Sequence, residues 1–112
     1  MLQFIIKYYD KDINLNLLSE YFHFTPTYIS RFIRSETGYT FSSILTSVRL
    51  THAAHMLENN DDSICGVCEQ NGFSDQRYFS KVFKKAFGTT PSEYKKKPVK
   101  LKFIEILDAI QS

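Results

Sequence analysis

Apolar residues recur along this chain in short blocks at helical spacing. Leu15, Leu18 and Phe22 mark one helix, and Tyr28, Ile29, Phe32 and Ile33 mark the inward side of the next. Between them, Thr25 and Pro26 stand in the order of an N-cap and a first helical residue, and Gly38 marks the stop. The pattern then returns. Ser63 can cap a helix bearing Ile64, Val67 and Cys68, Gly72 suits the left-handed turn that ends it, and Ser74 can cap a helix with Phe79, Val82 and Phe83 inward, ending at Gly88. Each block reads as a short helix, a tight turn and a second helix, the helix-turn-helix pattern.

The two blocks are copies of one unit. Tyr28-Ile29-Ser30-Arg31-Phe32-Ile33-Arg34 aligns with Tyr78-Phe79-Ser80-Lys81-Val82-Phe83-Lys84 at an offset of 50, which holds through Gly38/Gly88, Thr40/Thr90 and Ser42/Ser92. Upstream the offset is 49, pairing Leu15 with Ile64, Leu18 with Val67, Glu20 with Glu69 and Phe24 with Phe73. The extra residue of the second copy falls just after that Phe, where a turn accepts an insertion. Two copies are too few for a solenoid and suit a duplicated module.

Between the copies, Phe41, Ile44, Leu45, Val48, Ala53 and Leu57 form an apolar stripe, which predicts one long linker helix over residues 40–57 with Thr40 as its cap. About 18 residues at ~1.5 Å each give ~27 Å. A helix of that length can hold two recognition units roughly one DNA turn, ~34 Å, apart. Asn59-Asn60-Asp61-Asp62 reads as a polar loop, and Thr90-Pro91-Ser92-Glu93 as a capping box opening a short helix with Tyr94. Residues 2–9 read as an opening helix with Leu2, Ile5, Ile6 and Tyr9 inward. Beyond Pro98, Leu101, Phe103, Ile104, Leu107 and Ile110 form an amphipathic stretch that either folds back or meets a partner; the pattern leaves both open. The expected fold is all-α. Unit one covers about residues 15–38 and unit two about 63–88, within a domain of residues 1–97. With the linker helix this makes about seven helices, followed by the extension 98–112.

Composition adds limits. A chain of 112 residues, 43% hydrophobic and 23% charged, fits one globular domain. No apolar run approaches the ~18 residues of a membrane span. The first ten residues lack the basic and apolar regions of a secretory signal, so the cytoplasm is the expected compartment. Charge is uneven: residues 1–62 carry 5 Lys/Arg against 7 Asp/Glu, and residues 63–112 carry 9 against 5. The lysines at 81, 84, 85, 95, 96, 97 and 100 suit a phosphate footprint, and equally a solubilising face.

Cys65 and Cys68 form one C-x-x-C without a second pair, and His23, His52 and His55 do not complete a four-ligand zinc site. No metal or cofactor is expected. His52 and His55 read as helix-surface histidines. Tyr28, Tyr78, Phe79, Phe83 and Phe87 are spaced as core rather than as a stacking platform for single strands.

Residues 64–94, I-x-x-V-C-x-x-x-G-F-S-D through R-Y-F-S-K-V-F-K-K-x-F-G-T-T-P-S-E-Y, resemble the signature region of the AraC/XylS family of bacterial transcription regulators. The resemblance reaches back to Leu15 and covers most of residues 2–97. It implies a seven-helix fold whose two recognition helices enter successive major grooves on one face of promoter DNA. It also implies activation by recruitment of RNA polymerase, and a separate effector-binding or dimerisation domain. Ser19 and Cys68 stand where the family favours Ala, His23 stands where the second copy has Gly72, and Ile33 replaces a common Phe. Lys95 replaces an Arg and retains reach to a phosphate without bidentate geometry.

With the apolar positions inward, the residues left to face base edges are Thr27, Ser30 and Arg31 in unit one and Gln76, Arg77, Ser80 and Lys81 in unit two. Arg34, Lys84 and Lys85, farther along, suit phosphate, as do the helix starts at Thr25 and Ser74. Two other functions fit parts of the chain. One is a protein-interaction module acting through residues 98–112. The other is a redox or alkyl-transfer enzyme using Cys65 or Cys68.

Overall fold

Side-chain caps open most helices in the computed structural model, which describes residues 1–59 and 63–112. The helices are α1 (Leu2–Tyr8), α2 (Leu15–Phe22), α3 (Pro26–Thr37), α4 (Phe41–Asn59), α5 (Ile64–Gln70), α6 (Gln76–Phe87), α7 (Pro91–Lys96) and α8 (Phe103–Gln111). No strand occurs among the described residues. Asn14, Thr25 and Ser63 each accept a hydrogen bond from the amide three residues on. Thr40 does the same for α4, receiving the Ser43 amide at 3.1 Å. Thr90 and Glu93 close the expected capping box at α7. Each such cap satisfies an amide that the helix cannot, worth about 1 kcal/mol. Of the polar loop read at 59–62, residues 60–62 lie outside the described residues.

Helix α6 opens one residue later than the sequence predicts. Asp75, not Ser74, is its N-cap, and the Asp75 carboxylate accepts the Arg77 amide at 2.9 Å. Both residue types cap well, and the geometry of the preceding turn chooses between them.

Two hydrophobic cores form, one per unit. The first gathers Ile5, Leu18, Ile29, Ile33, Ile44 and Val48. The second gathers Leu50, Val67, Phe79, Phe83, Phe87 and Tyr94. The 19-residue α4 gives its first half to one core and its second half to the other. Burial pushes the Tyr94 phenol up to about 12, so it stays neutral there.

Several apolar positions face outward against expectation. In α1 only Ile5 is buried; Leu2 and Ile6 are exposed, and Tyr9, past the helix end, stacks on His52 with ring centroids 4.2 Å apart. In α3 Ile29 and Ile33 are buried while Tyr28 and Phe32 are exposed, and Tyr78 of α6 is exposed too. A helix with one packing partner buries only a narrow stripe, and residues one step off it remain in solvent. Tyr28 and Phe32 instead stack outside the core, with Phe24 continuing the row.

The two turns differ just before the point where the copies change register. His23 adopts the left-handed conformation (φ 62°), and its counterpart is Gly72 (φ 83°). A left-handed non-glycine costs roughly 1–2 kcal/mol, and glycine returns about 0.5–1 kcal/mol of that through its freer unfolded chain. His23→Gly is therefore expected to raise the melting temperature by a few degrees, read by circular dichroism. Gly72→Ala should do the opposite and more. A Cβ there would sit 2.8 Å from the Tyr9 carbonyl oxygen and 2.9 Å from Arg49 Nε. Strain plus overpacking should cost about 2–4 kcal/mol in urea unfolding. A loss below about 1 kcal/mol would show that the turn moves aside freely.

Candidate nucleic-acid interface

In each unit the first helix and its turn present the second helix outward. The turn is held the same way twice. The Ser19 hydroxyl donates to the Phe24 carbonyl, and the Cys68 thiol donates to the Phe73 carbonyl at 3.5 Å. These are equivalent residues of the two copies. A small donor at this place lets the helices approach and satisfies a turn carbonyl, which explains how Ser and Cys serve here.

On α3, Thr27, Ser30, Arg31 and Arg34 are exposed, opposite the buried Ile29 and Ile33. On α6, Gln76, Arg77, Lys81 and Lys84 are exposed and Ser80 is half-buried, opposite Phe79, Val82 and Phe83. The structure thus brings the expected residues of each unit to one helix face. Among the described residues, Arg31, Arg34, Arg77, Lys81 and Lys84 close no intramolecular ion pair; the pair present is Lys100 with Glu58 at 2.7 Å. Cations that close no ion pair, one of which, Lys84, has a carboxylate, Glu93, close enough for the two to interact electrostatically, form on two like-built helix faces a surface suited to a polyanion.

Four expected phosphate positions fare differently. Thr25 is exposed, its hydroxyl takes the Tyr28 amide and Pro26 has no N–H, so the α3 start turns the Thr27 amide, without charge, toward an anion. At α6 the cap is the carboxylate of Asp75, which opposes an approaching phosphate, and the exposed Ser74 lies outside the helix. Lys85 Nζ donates to the main-chain oxygens of Ile110 at 3.2 Å and Ser112 at 2.8 Å, so the end of α8 and the residue after it hold it. Lys95 is half-buried on α7.

Arg49 is a positioning residue that the sequence does not mark. Its Nε donates to the Tyr9 carbonyl at 2.7 Å, its Nη2 donates to the Lys11 carbonyl at 2.8 Å, and its guanidinium lies over the Phe73 ring. It joins the α1–α2 connection of unit one to the turn of unit two. A single arginine on an apolar helix carries no periodic signal, so only the fold reveals this role. Burial lowers the Arg49 guanidinium from its usual value, with Asp12 opposing.

Cys68 and His52 take packing roles. Cys68 is buried, and burial pushes its thiol up, away from the reactive thiolate. Cys65 is exposed with its sulfur 3.8 Å from a Glu69 carboxylate oxygen. His52 lies against Tyr9, and burial, with His55 nearby, holds it below its ordinary value.

A family described as a helix-turn-helix domain matches residues 18–97. The chain belongs to the AraC-type helix-turn-helix family. This family comprises DNA-binding domains of transcription regulators and not enzymes. Among its relatives, the uncharacterized transcriptional regulatory protein YesN of Bacillus subtilis is 43% identical over 74 residues, which is 64% of this chain and 20% of that protein. The HTH-type transcriptional activator RhaR of Mannheimia succiniciproducens is 36% identical over 72 residues, 64% of this chain and 26% of that protein. The AraC-type chain therefore spans about a fifth to a quarter of the length of these curated relatives. Its fold matches the C-terminal domain of AraT, a response regulator from Geobacillus stearothermophilus, with a TM-score of 0.83 and 33% identity, covering 90% of this chain and 84% of that one.

Proposed function

We propose that this AraC-type domain binds duplex promoter DNA in bacteria by placing α3 and α6 in successive major grooves, and so regulates transcription. The observation that carries this reading is the repeated, exposed cationic face on two equivalent helices, joined through one long helix. Thr27, Ser30 and Arg31 read bases from α3, and Gln76, Arg77, Ser80 and Lys81 read them from α6. Arg and Lys suit guanine O6 and N7, and Gln suits adenine. Arg34 and Lys84 take phosphates, joined by the α3 start at Thr25 and by Lys95. Lys85 can join them only by leaving the end of α8, and Ser74 can do so only beside the Asp75 carboxylate. RNA polymerase is the proposed protein partner, and an effector-binding or dimerisation domain is the proposed companion. The cytoplasm is the proposed compartment. Among the described residues no helix is long and apolar enough to cross a membrane.

The test is selection from a randomised duplex library of ~25 base pairs, long enough for two elements one helical turn apart, at two salt concentrations. Enrichment of two short elements with steep salt weakening is the expected result. One enriched element would mean that a single unit reads bases. No enrichment and little salt dependence would remove the DNA reading.

Lys84→Ala gives a separate expectation. Losing one phosphate contact should weaken binding to all sequences alike and reduce the salt slope by about 0.9. An effect confined to the selected sequence would move Lys84 to the base-reading group.

A further inference from the structure

The family match ends at residue 97, so α8 lies outside it. Among the described residues α8 nevertheless touches both units. Ile106 is buried in the core of unit two, and its neighbour Leu107 in the core of unit one. Polar contacts repeat the bridge. The Tyr39 hydroxyl, in the loop after α3, donates to the Asp108 carboxylate. The Ser43 hydroxyl donates to Gln111 Oε1, which also receives the Thr40 amide at 3.4 Å. From unit two, Lys85 Nζ donates to the main-chain oxygens of Ile110 in α8 and of Ser112 just after it.

These ties lie on one side of α4. Thr51 lines the same surface clefts as Phe103 and Ile106. Arg49 stands two residues earlier, about 200° round a helix of 3.6 residues per turn. Its bonds to Tyr9 and Lys11 of unit one, with its guanidinium over the Phe73 ring of unit two, therefore join the units on the far side. A lone helix between two small units permits them to rock. Ties on both sides of that helix oppose rocking in both directions.

We infer that α8 is a positioning element for DNA recognition, locking the two units together so that the domain accepts two DNA elements at a single separation. This rests on the two-unit DNA reading proposed above. One inserted base pair displaces the second element by about 3.4 Å along the duplex and about 35° around it. A locked domain cannot follow that displacement, whereas a hinged one can.

The test is affinity for duplexes carrying the two selected elements with zero, one or two base pairs inserted or removed between them. The unsubstituted chain is compared with Leu107→Ala/Asp108→Ala/Gln111→Ala, which removes the buried and polar ties of α8 to unit one described above and leaves Ile106 in unit two. A second variant, Tyr39→Phe/Gln111→Ala, removes only polar ties at the surface and serves if the first melts early. The unsubstituted chain should lose about tenfold or more per inserted base pair, the released variant less than about threefold, and the polar-tie variant, which keeps Leu107 in unit one, an amount between the two, a scale set by the cost of a mismatched contact. Weaker binding at the best separation with an unchanged spacing profile is what a merely structural role would give, and it would overturn the inference. So would an unsubstituted chain that tolerates several separations. Failure of the selection to yield two elements would instead withdraw the two-unit reading, and this inference with it.

Discussion

Phe83→Ala is expected to destabilise the domain by about 3–5 kcal/mol, the usual cost of emptying a large aromatic site in a packed core. Phe83 is fully buried. Its ring stands 4.5 Å from Phe87, 5.2 Å from Tyr94 and 5.7 Å from Phe79. These rings come from α6 and α7, so the cavity would open between the recognition helix and the element that braces it. Neighbouring rings are too rigid to close the gap. A domain of this size is stable by roughly 5–15 kcal/mol, so a large share would be lost. Urea unfolding followed by far-ultraviolet circular dichroism reads the effect as a lower midpoint at unchanged slope. A loss under about 1 kcal/mol would mean that unit two is held by something other than its aromatic cluster.

The second large effect concerns DNA. Arg31→Ala and Lys81→Ala should each cost ~1–3 kcal/mol on the selected duplex. They lie on different helices of different units and share no partner, so the double variant should lose the sum, ~2–6 kcal/mol. At 1.4 kcal/mol per tenfold, that is from about thirtyfold to more than ten-thousandfold in affinity. Fluorescence anisotropy on the selected duplex and on a scrambled one separates two meanings of a loss. A loss concentrated on the selected duplex marks base reading. Equal losses on both would reassign the two cations to phosphate contact. A double variant no weaker than one single variant would mean that only one unit engages the DNA.

Much of the fold is legible in the chain because its signals are local. A cap acts within one turn, so Thr25, Thr40, Ser63 and Thr90 mark helix starts without reference to the rest of the molecule. Gly38 and Gly88 mark stops for the same reason: both are left-handed in the structure, where glycine carries no steric cost. Where two caps stand side by side, as at Ser74 and Asp75, the local signal splits, and the turn from Gly72 decides.

The recognition faces were legible by subtraction. Once Ile29, Ile33, Phe79 and Phe83 are placed inward, Arg31 and Lys81 have nowhere to point but outward. The same subtraction failed for Tyr28, Phe32, Leu2 and Ile6. It treats every apolar residue near the stripe as buried, whereas burial needs a neighbouring helix to cover the residue.

The sequence by itself determined the duplicated unit, the helix order and the charged faces, since each follows from spacing within one helix or from repetition along the chain. Only the tertiary structure decided how the units are held together. Arg49 meets Tyr9 across 40 residues of sequence, Lys85 meets Ser112 across 27, and Tyr39 meets Asp108 across 69. No periodicity links such partners. Their pairing depends on where helices come to lie after packing, and that placement also carried α8 onto both cores.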